Sequence, residues 1–261
     1  GEDDYIQNNY NVELTYDNMG NLQTLFRNGV IDRGICPEDP TMNGYTFGRM
    51  DSLEYSYRNK ATGELTNRLQ RVDEYTNTEY GYKGAGGSYE YDGNGNITRD
   101  DNKGVSIDYN HLNLPKLFIF DTGDSIKITY DAAGIKLKKE VKGGGEDYTL
   151  HYIGGIEYRE EAAIKIESIH HAEGRVTYDE NDAPQYEYHL KDHLGNVRMA
   201  FADKDGDGYI EPFNVNPNEY IPGGGGGEVP PVDLTNTDVL QETHYYPFGM
   251  TMEGEWQDIV N

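Results

Sequence analysis

The sequence is poor in cysteine, in positive charge and in long apolar runs, and each shortage removes a class of function. A single cysteine, Cys36, among 261 residues cannot form an intramolecular disulfide, so cysteine usage names no redox compartment. That lone thiol reads as a bystander. Lys and Arg number 22 against 47 Asp and Glu, a formal net charge of -25. Such a surface repels a phosphate backbone and offers no basic stripe for counterion release, which excludes nucleic acid as a partner. Mean hydropathy is -0.83, and no apolar run is long enough for a helix to cross a bilayer, so membrane insertion is not expected. The opening residues GEDDY form neither a basic nor an apolar leader region, so any export signal is expected to have been removed or to lie outside this piece.

What the sequence does hold is glycine and tyrosine, 32 and 23 residues, beside only 7 Phe and 1 Trp. Glycine weakens helices and tyrosine favours strands, so together they predict an all-β protein with many turns. The length suits one large β domain or two small ones. It is read here as a single repeat region over 1–261.

A short repeat organises the chain. TYDNMGNL at 15–22, EYDGNGNI at 90–97 and TYDAAGIKL at 129–137 share Tyr-Asp, two variable residues, then Gly. Weaker copies are DYNHLNLP at 108–115, where Asn113 stands for Gly, YRNKATGEL at 57–65, and KDHLGNVRM at 191–199, where His193 is read as replacing Asp. Apolar residues alternate before the good copies: Val12, Leu14, Tyr16; Val105, Ile107, Tyr109; Ile126, Ile128, Tyr130; and Tyr186, Tyr188, Leu190. Period two marks a strand with one buried face, which the Tyr ends on its apolar side. The Asp can accept hydrogen bonds from amides two or three residues on, and the Gly supplies the positive φ of a short bulged hairpin loop. Asn21, Asn96 and Asn196 are then expected to cap the returning strand. One such hairpin cannot bury its face alone, so successive hairpins should pair into a curved antiparallel β-hairpin strip.

At these residues the chain resembles the RHS/YD-repeat family, named for the Tyr-Asp dipeptide. The most specific stretch is YHLKDHLGNVRMAFADKDGDG at 188–208 with ETHYYPFGM at 242–250, similar to the RHS-associated core region of Bacteroidetes-type members. The resemblance runs from Tyr16 to Met250. It implies a partial RHS/YD-repeat shell around a C-terminal effector or toxin, secreted or displayed at the cell surface, and no catalytic machinery of its own. Family cores that release cargo cut themselves with aspartates in a DPxG-type segment. None occurs in these 261 residues, so self-cleavage is assigned to no residue.

One motif carries metal chemistry. Asp203, Asp205 and Asp207 occupy positions 1, 3 and 5 of a calcium-loop pattern, Gly208 position 6, and Tyr209 position 7 through its carbonyl. Oxygen ligands so spaced wrap a Ca2+ ion at about 2.4 Å. Position 12 is Asn214 instead of Glu, and Glu211 can contribute directly or through water. The bland reading is an acidic hairpin tip held by Asp-Gly turns. Either way the loop is stiffened; nothing nearby suggests an activated water.

The remaining candidates read as structure. His189 and His193 have metal spacing only on a helix, and His170 and His171 would face opposite sides of a strand. No serine stands in a nucleophile elbow, and the glycine runs at 84–87, 143–145 and 223–227 lack the lysine of a phosphate loop. The Pro/Gly-rich run at 216–236 is a loop or linker, after which Val239, Gln241, Thr243 and Tyr245 resume a strand. Two other classes stay open. One is a cell-surface adhesin or carbohydrate-binding module, with a surface glycan met by exposed tyrosines. The other is a glycosidase-like enzyme with two carboxylates facing a cleft.

Overall fold

A computed structural model describes residues 9–35, 43–59, 62–76, 78–84, 86–145, 147–179, 181–204, 206, 208–210, 238–246 and 249–252. These form seventeen strands and no helix among the described residues, and the strands pair antiparallel. The protein is all-β. The chain divides into two compact units, 1–152 with 159–164, and 153–158 with 165–261. Both contain the same hairpin turn.

The first unit begins with β1 (Val12–Tyr16), β2 (Leu22–Ile35), β3 (Asn43–Ser56) and β4 (Arg71–Glu74), paired in that order. The long β2 and β3 pair along their whole length with two register shifts. Leu25, Leu53 and Val72 meet as a small buried cluster, with Leu14, Tyr55 and Tyr89 packed against it. The same sheet buries a charged pair. Arg27 and the fully buried Asp51 are joined through Arg27 Nε at 2.6 Å, and the Tyr82 amide donates to the other Asp51 oxygen at 2.5 Å. Each desolvated oxygen thus has a donor.

The unit continues through β5 (Tyr89–Tyr91), β6 (Ile97–Asp100), β7 (Val105–Tyr109), β8 (Pro115–Phe120), β9 (Ser125–Tyr130), β10 (Lys136–Lys142) and β11 (Tyr148–Ile153), each antiparallel to the next. Register places Ile107, Phe118, Ile126 and Val141 in one cross-strand row and Asp108, Leu117, Lys127 and Glu140 in another. The alternation read from sequence is therefore the pleat, one apolar and one largely polar face. Only Val105 of these strands has a fully buried apolar side chain.

β12 (Ile156–Glu160) falls at the division between the units. The second unit holds most of β13 (Ile164–His171), then β14 (Gly174–Tyr178), β15 (Pro184–Lys191), β16 (Val197–Phe201) and β17 (Val239–Glu242), again in sequence order. Gly174 lets β14 and β15 approach: a Cβ there would stand 2.0 Å from the Glu187 carbonyl oxygen. The strand expected through Tyr245 ends at Glu242, and Tyr245 makes an isolated bridge to Thr251 instead. Cys36 and the 216–236 run lie outside the described residues.

Candidate functional site

The repeat is a five-residue turn closed in one way in every copy but that at 57–65, where the Asn59 amide donates to the Glu64 carbonyl, one residue further on, at 2.9 Å. In the first copy the Asp17 amide donates to the Asn21 carbonyl at 2.9 Å and the Gly20 amide to the Asp17 carbonyl at 3.1 Å. Asp17 Oδ1 accepts the amides of Met19 and Asn21, both at 2.8 Å, and Oδ2 accepts the Asn21 side-chain amide at 2.9 Å. Gly20 sits at φ 84°, a left-handed conformation that costs other residues about 1–2 kcal/mol. Asp92 with Asn96 and Asp192 with Asn196 repeat the set. The Asn therefore locks the Asp carboxylate, a correction to the expectation that it caps the returning strand. Its donated hydrogen bond is the main reason these three carboxyls lie below their ordinary range.

The copy at 191–199 sits one residue away from the frame that the sequence pattern suggests. Asp192 is the turn residue and Lys191 stands in the Tyr place, paired with Val197 as Tyr91 pairs with Ile97. His193 does not replace Asp. Three further turns escape the Tyr-Asp-x-x-Gly pattern, the first with Phe120 in the Asp place, its amide donating to the Asp124 carbonyl at 2.9 Å and Gly123 at φ 93°. Asp179 accepts the Asn181 and Ala183 amides, with Asp182 at φ 60° where Gly is expected. Tyr246 closes the same backbone ring on Met250, with Gly249 at φ 85° and an aromatic in the Asp place.

Successive hairpins are latched by the tyrosines. Tyr109 Oη donates to the Ile97 carbonyl at 2.9 Å, Tyr130 Oη to Pro115 at 3.0 Å and Tyr245 Oη to Val197 at 3.0 Å. Each acceptor is the first residue after the preceding turn's lock. Burial raises the Tyr109 and Tyr130 hydroxyls above the usual phenol range. Neighbouring turns also touch, because Asn113 Oδ1 accepts the side-chain amides of Asn94 and Asn96 at 2.9 and 3.0 Å. Beside the 101–104 turn, Arg99 grips Asp121, just past β8, with two bonds of 2.9 and 2.7 Å.

The second unit carries a polar row on one sheet face. His170 stands opposite Arg175, and Arg175 opposite Glu187. Glu187 is buried and receives Arg175 Nε at 2.9 Å and His189 Nε2 at 2.6 Å. Burial alone would push its carboxyl up, and the two donors overcome that, leaving it low. His189 thus pairs within its own strand, while His171 meets the Tyr188 ring at 6.1 Å. His170 Nε2 lies 3.3 Å from both Ser168 Oγ and Glu157 Oε1. A Ser-His-acid relay needs one ring nitrogen for each partner, and Ser168 is buried, so this trio is packing. Arg198 donates to His244 Nδ1 at 2.6 Å, and His244 Nε2 to Glu242 at 3.0 Å. The Arg175–Glu187 and Arg198–His244 pairs join separate segments, and only strand register could reveal them.

Of the calcium-loop candidates, Asp203 and Tyr209 are described; Asp205, Asp207, Glu211 and Asn214 lie outside the described residues. Asp203 Oδ1 accepts the Gly206 amide at 2.7 Å and Oδ2 the Gly208 amide at 2.9 Å, with both glycines at positive φ. Each oxygen keeps a lone pair, so this curl fits an oxygen-ligated cation as well as a self-held tip. Of the carboxylates bordering cavities, Asp17 is spent on its turn, Glu54 Oε2 accepts the Tyr75 hydroxyl at 3.0 Å, and Glu90 is unpaired among the described residues.

No protein-family model and no curated protein matches the chain. Solved structures do. A TcdB2-TccC3-TEV crystal structure is 14% identical over 92% of this chain and 12% of that one, TM-score 0.47. A TcdB2-TccC3-Cdc42 crystal structure is 13% identical with the same coverages, TM-score 0.49. The Photorhabdus luminescens Tc holotoxin pore, with a mutation in TccC3, is 14% identical with the same coverages, TM-score 0.47. The chain spans 12% of the length of these chains.

Proposed function

We propose that the chain is a structural and packaging segment of a secreted or surface-displayed RHS-type protein, forming part of a curved β-strip shell around a C-terminal effector or toxin of the parent chain. The observation that supports this reading is a hairpin sheet with an uncovered apolar face. Tyr186, Tyr188 and Leu190 are 55%, 40% and 54% exposed, although Tyr188 stacks on Phe201 at 5.7 Å and Leu190 pairs with Met199. A patch of this kind on a soluble protein marks a surface meant to meet something else. The reading gives the chain a mechanical role and no reaction.

The test uses the parent protein with its natural downstream segment. Limited proteolysis should spare that segment in the intact protein and digest it when expressed alone; equal digestion in both would end the packaging reading. Finding the parent only in the cytosolic fraction would end the secreted one. Calcium is proposed to stiffen the 203–214 loop through Asp203, Asp205, Asp207, the Tyr209 carbonyl, Glu211 and Asn214. Adding calcium after chelation should raise the unfolding temperature, and Asp203→Asn should abolish the rise. An identical temperature with and without calcium would leave Asp203 as a turn residue only.

A further inference from the structure

Two cavities adjoin in the first unit, and nothing in the packaging role uses them. One, of about 310 Å3, opens between the Asp17 turn, the end of β3 and the 65–67 segment. The other, of about 490 Å3, opens between residues 66–70 and β5. Thr66 and Asn67 border both, so one ridge separates two halves of a groove. The ridge is fixed. The Thr66 hydroxyl bonds the carbonyls of Tyr57 and Arg68 at 3.1 and 3.0 Å, and Asn67 Oδ1 accepts from Asn21 at 3.3 Å.

The groove's charged groups are almost all spent. Asp17 holds its turn, Glu54 takes the Tyr75 hydroxyl, Arg58 donates to the Gly63 carbonyl, and Arg68 donates to the Asp92 carbonyl at 3.3 Å while lying over the Tyr91 ring. What is left unspent is mostly neutral. Among the described residues the side chains of Gln23 and Ser56, the Tyr55 hydroxyl and the Asn67 amide nitrogen have no partner, although they line the first cavity. Glu90 is likewise unpaired in the second. Tyr55 is half-buried, and burial pushes its hydroxyl up to about 12, so it stays a neutral donor.

We infer that this groove binds a neutral oligosaccharide, one sugar in each half with the linkage over the Thr66–Asn67 ridge. Cavities of about 300–1,000 Å3 accommodate small ligands. Amides and hydroxyls supply donors and acceptors together, which adjacent sugar hydroxyls satisfy in pairs. Half-buried Tyr57 and Tyr89 add ring surface for the apolar sides of a sugar. An anionic ligand would need free cations, and both arginines are engaged in a protein carrying -25. A strongly apolar ligand would leave the unspent polar groups unpaired.

The full chain is titrated calorimetrically with cellotetraose, chitotetraose and mannotetraose, and with tetragalacturonate as the anionic control. At least one neutral sugar should bind, and tetragalacturonate should not. Gln23→Ala and Ser56→Ala should each weaken binding about fivefold, the effect of one lost hydrogen bond, while Gln185→Ala on β15 changes nothing. In the unaltered protein, amide shifts on sugar addition should cluster at Gln23, Ser56, Asn67 and Glu90. No neutral sugar bound at millimolar concentration, equal or tighter binding of tetragalacturonate, or shifts centred on Tyr186 and Tyr188 would each overturn the assignment. It stands apart from the packaging role, whose proteolysis test none of these outcomes touches.

Discussion

The β1–β4 sheet and the β5–β10 strip lie in one unit and hold together by different means. The sheet closes over Leu25, Leu53, Val72 and the buried Arg27–Asp51 pair. The strip buries little beyond Val105 and depends on locked turns, tyrosine latches and a row of half-buried cross-strand partners. In the first, stability concentrates in a few positions where one loss is severe. In the second it is spread over similar small contributions, as expected of a repeat array whose units meet only their neighbours.

Substitutions that break this contrast should rank accordingly. Asp51→Ala removes the buried carboxylate that accepts both the Arg27 guanidinium and the Tyr82 amide, and chemical denaturation should show a loss of about 3–5 kcal/mol. Gly95→Ala in the strip should cost only about 1–2 kcal/mol. Gly95 sits at φ 92° with its nearest neighbour, Arg68, at 3.7 Å, so the penalty is backbone conformation and not a clash. Tyr109→Phe removes one hydrogen bond to Ile97 and should cost about 0.5–1.5 kcal/mol. A comparable loss for Tyr109→Phe and Asp51→Ala would erase the distinction between the regions.

The smallest expected effect compares two turns inside the strip. The Asp92 carboxyl is held low chiefly by the Asn96 side chain. Because its folded value is depressed, its contribution is complete above the unfolded carboxyl value of about 3.9 and is lost as pH falls through the folded value. Asn110 fills the same place in the next turn, accepting the Leu112 and Leu114 amides at 2.9 and 3.0 Å, and it does not titrate. Below about pH 4, hydrogen exchange corrected for intrinsic rates should quicken at Asn94 and Asn96 but not at Leu112 and Leu114. Parallel behaviour would show that the carboxylate charge adds nothing to the lock.

The turns are legible where chemistry is local. Asp, then Gly three residues on, then Asn writes the whole hydrogen-bond set into five residues. The copies that escape keep the backbone ring and change the letters: Asp182 takes the left-handed position at 179–183, and Tyr246 replaces the acid at 246–250. Alternation reveals the faces of β7 and β9 but not how deeply they lie, since depth depends on what covers a sheet. The Asn113 bridge, the Arg175–Glu187 pair and the groove beside Tyr55 join residues that no spacing links. Of the calcium candidates, only the Asp203 curl and the Tyr209 backbone come within the described residues.

The tyrosine latch has a bearing on length. Each hydroxyl meets a carbonyl whose place is set by the preceding turn alone, so the junction between two hairpins contains nothing that counts how many came before. Whole hairpins could then be gained or deleted by duplication in the gene, each new joint made like the last, and the length of the array would be free to vary.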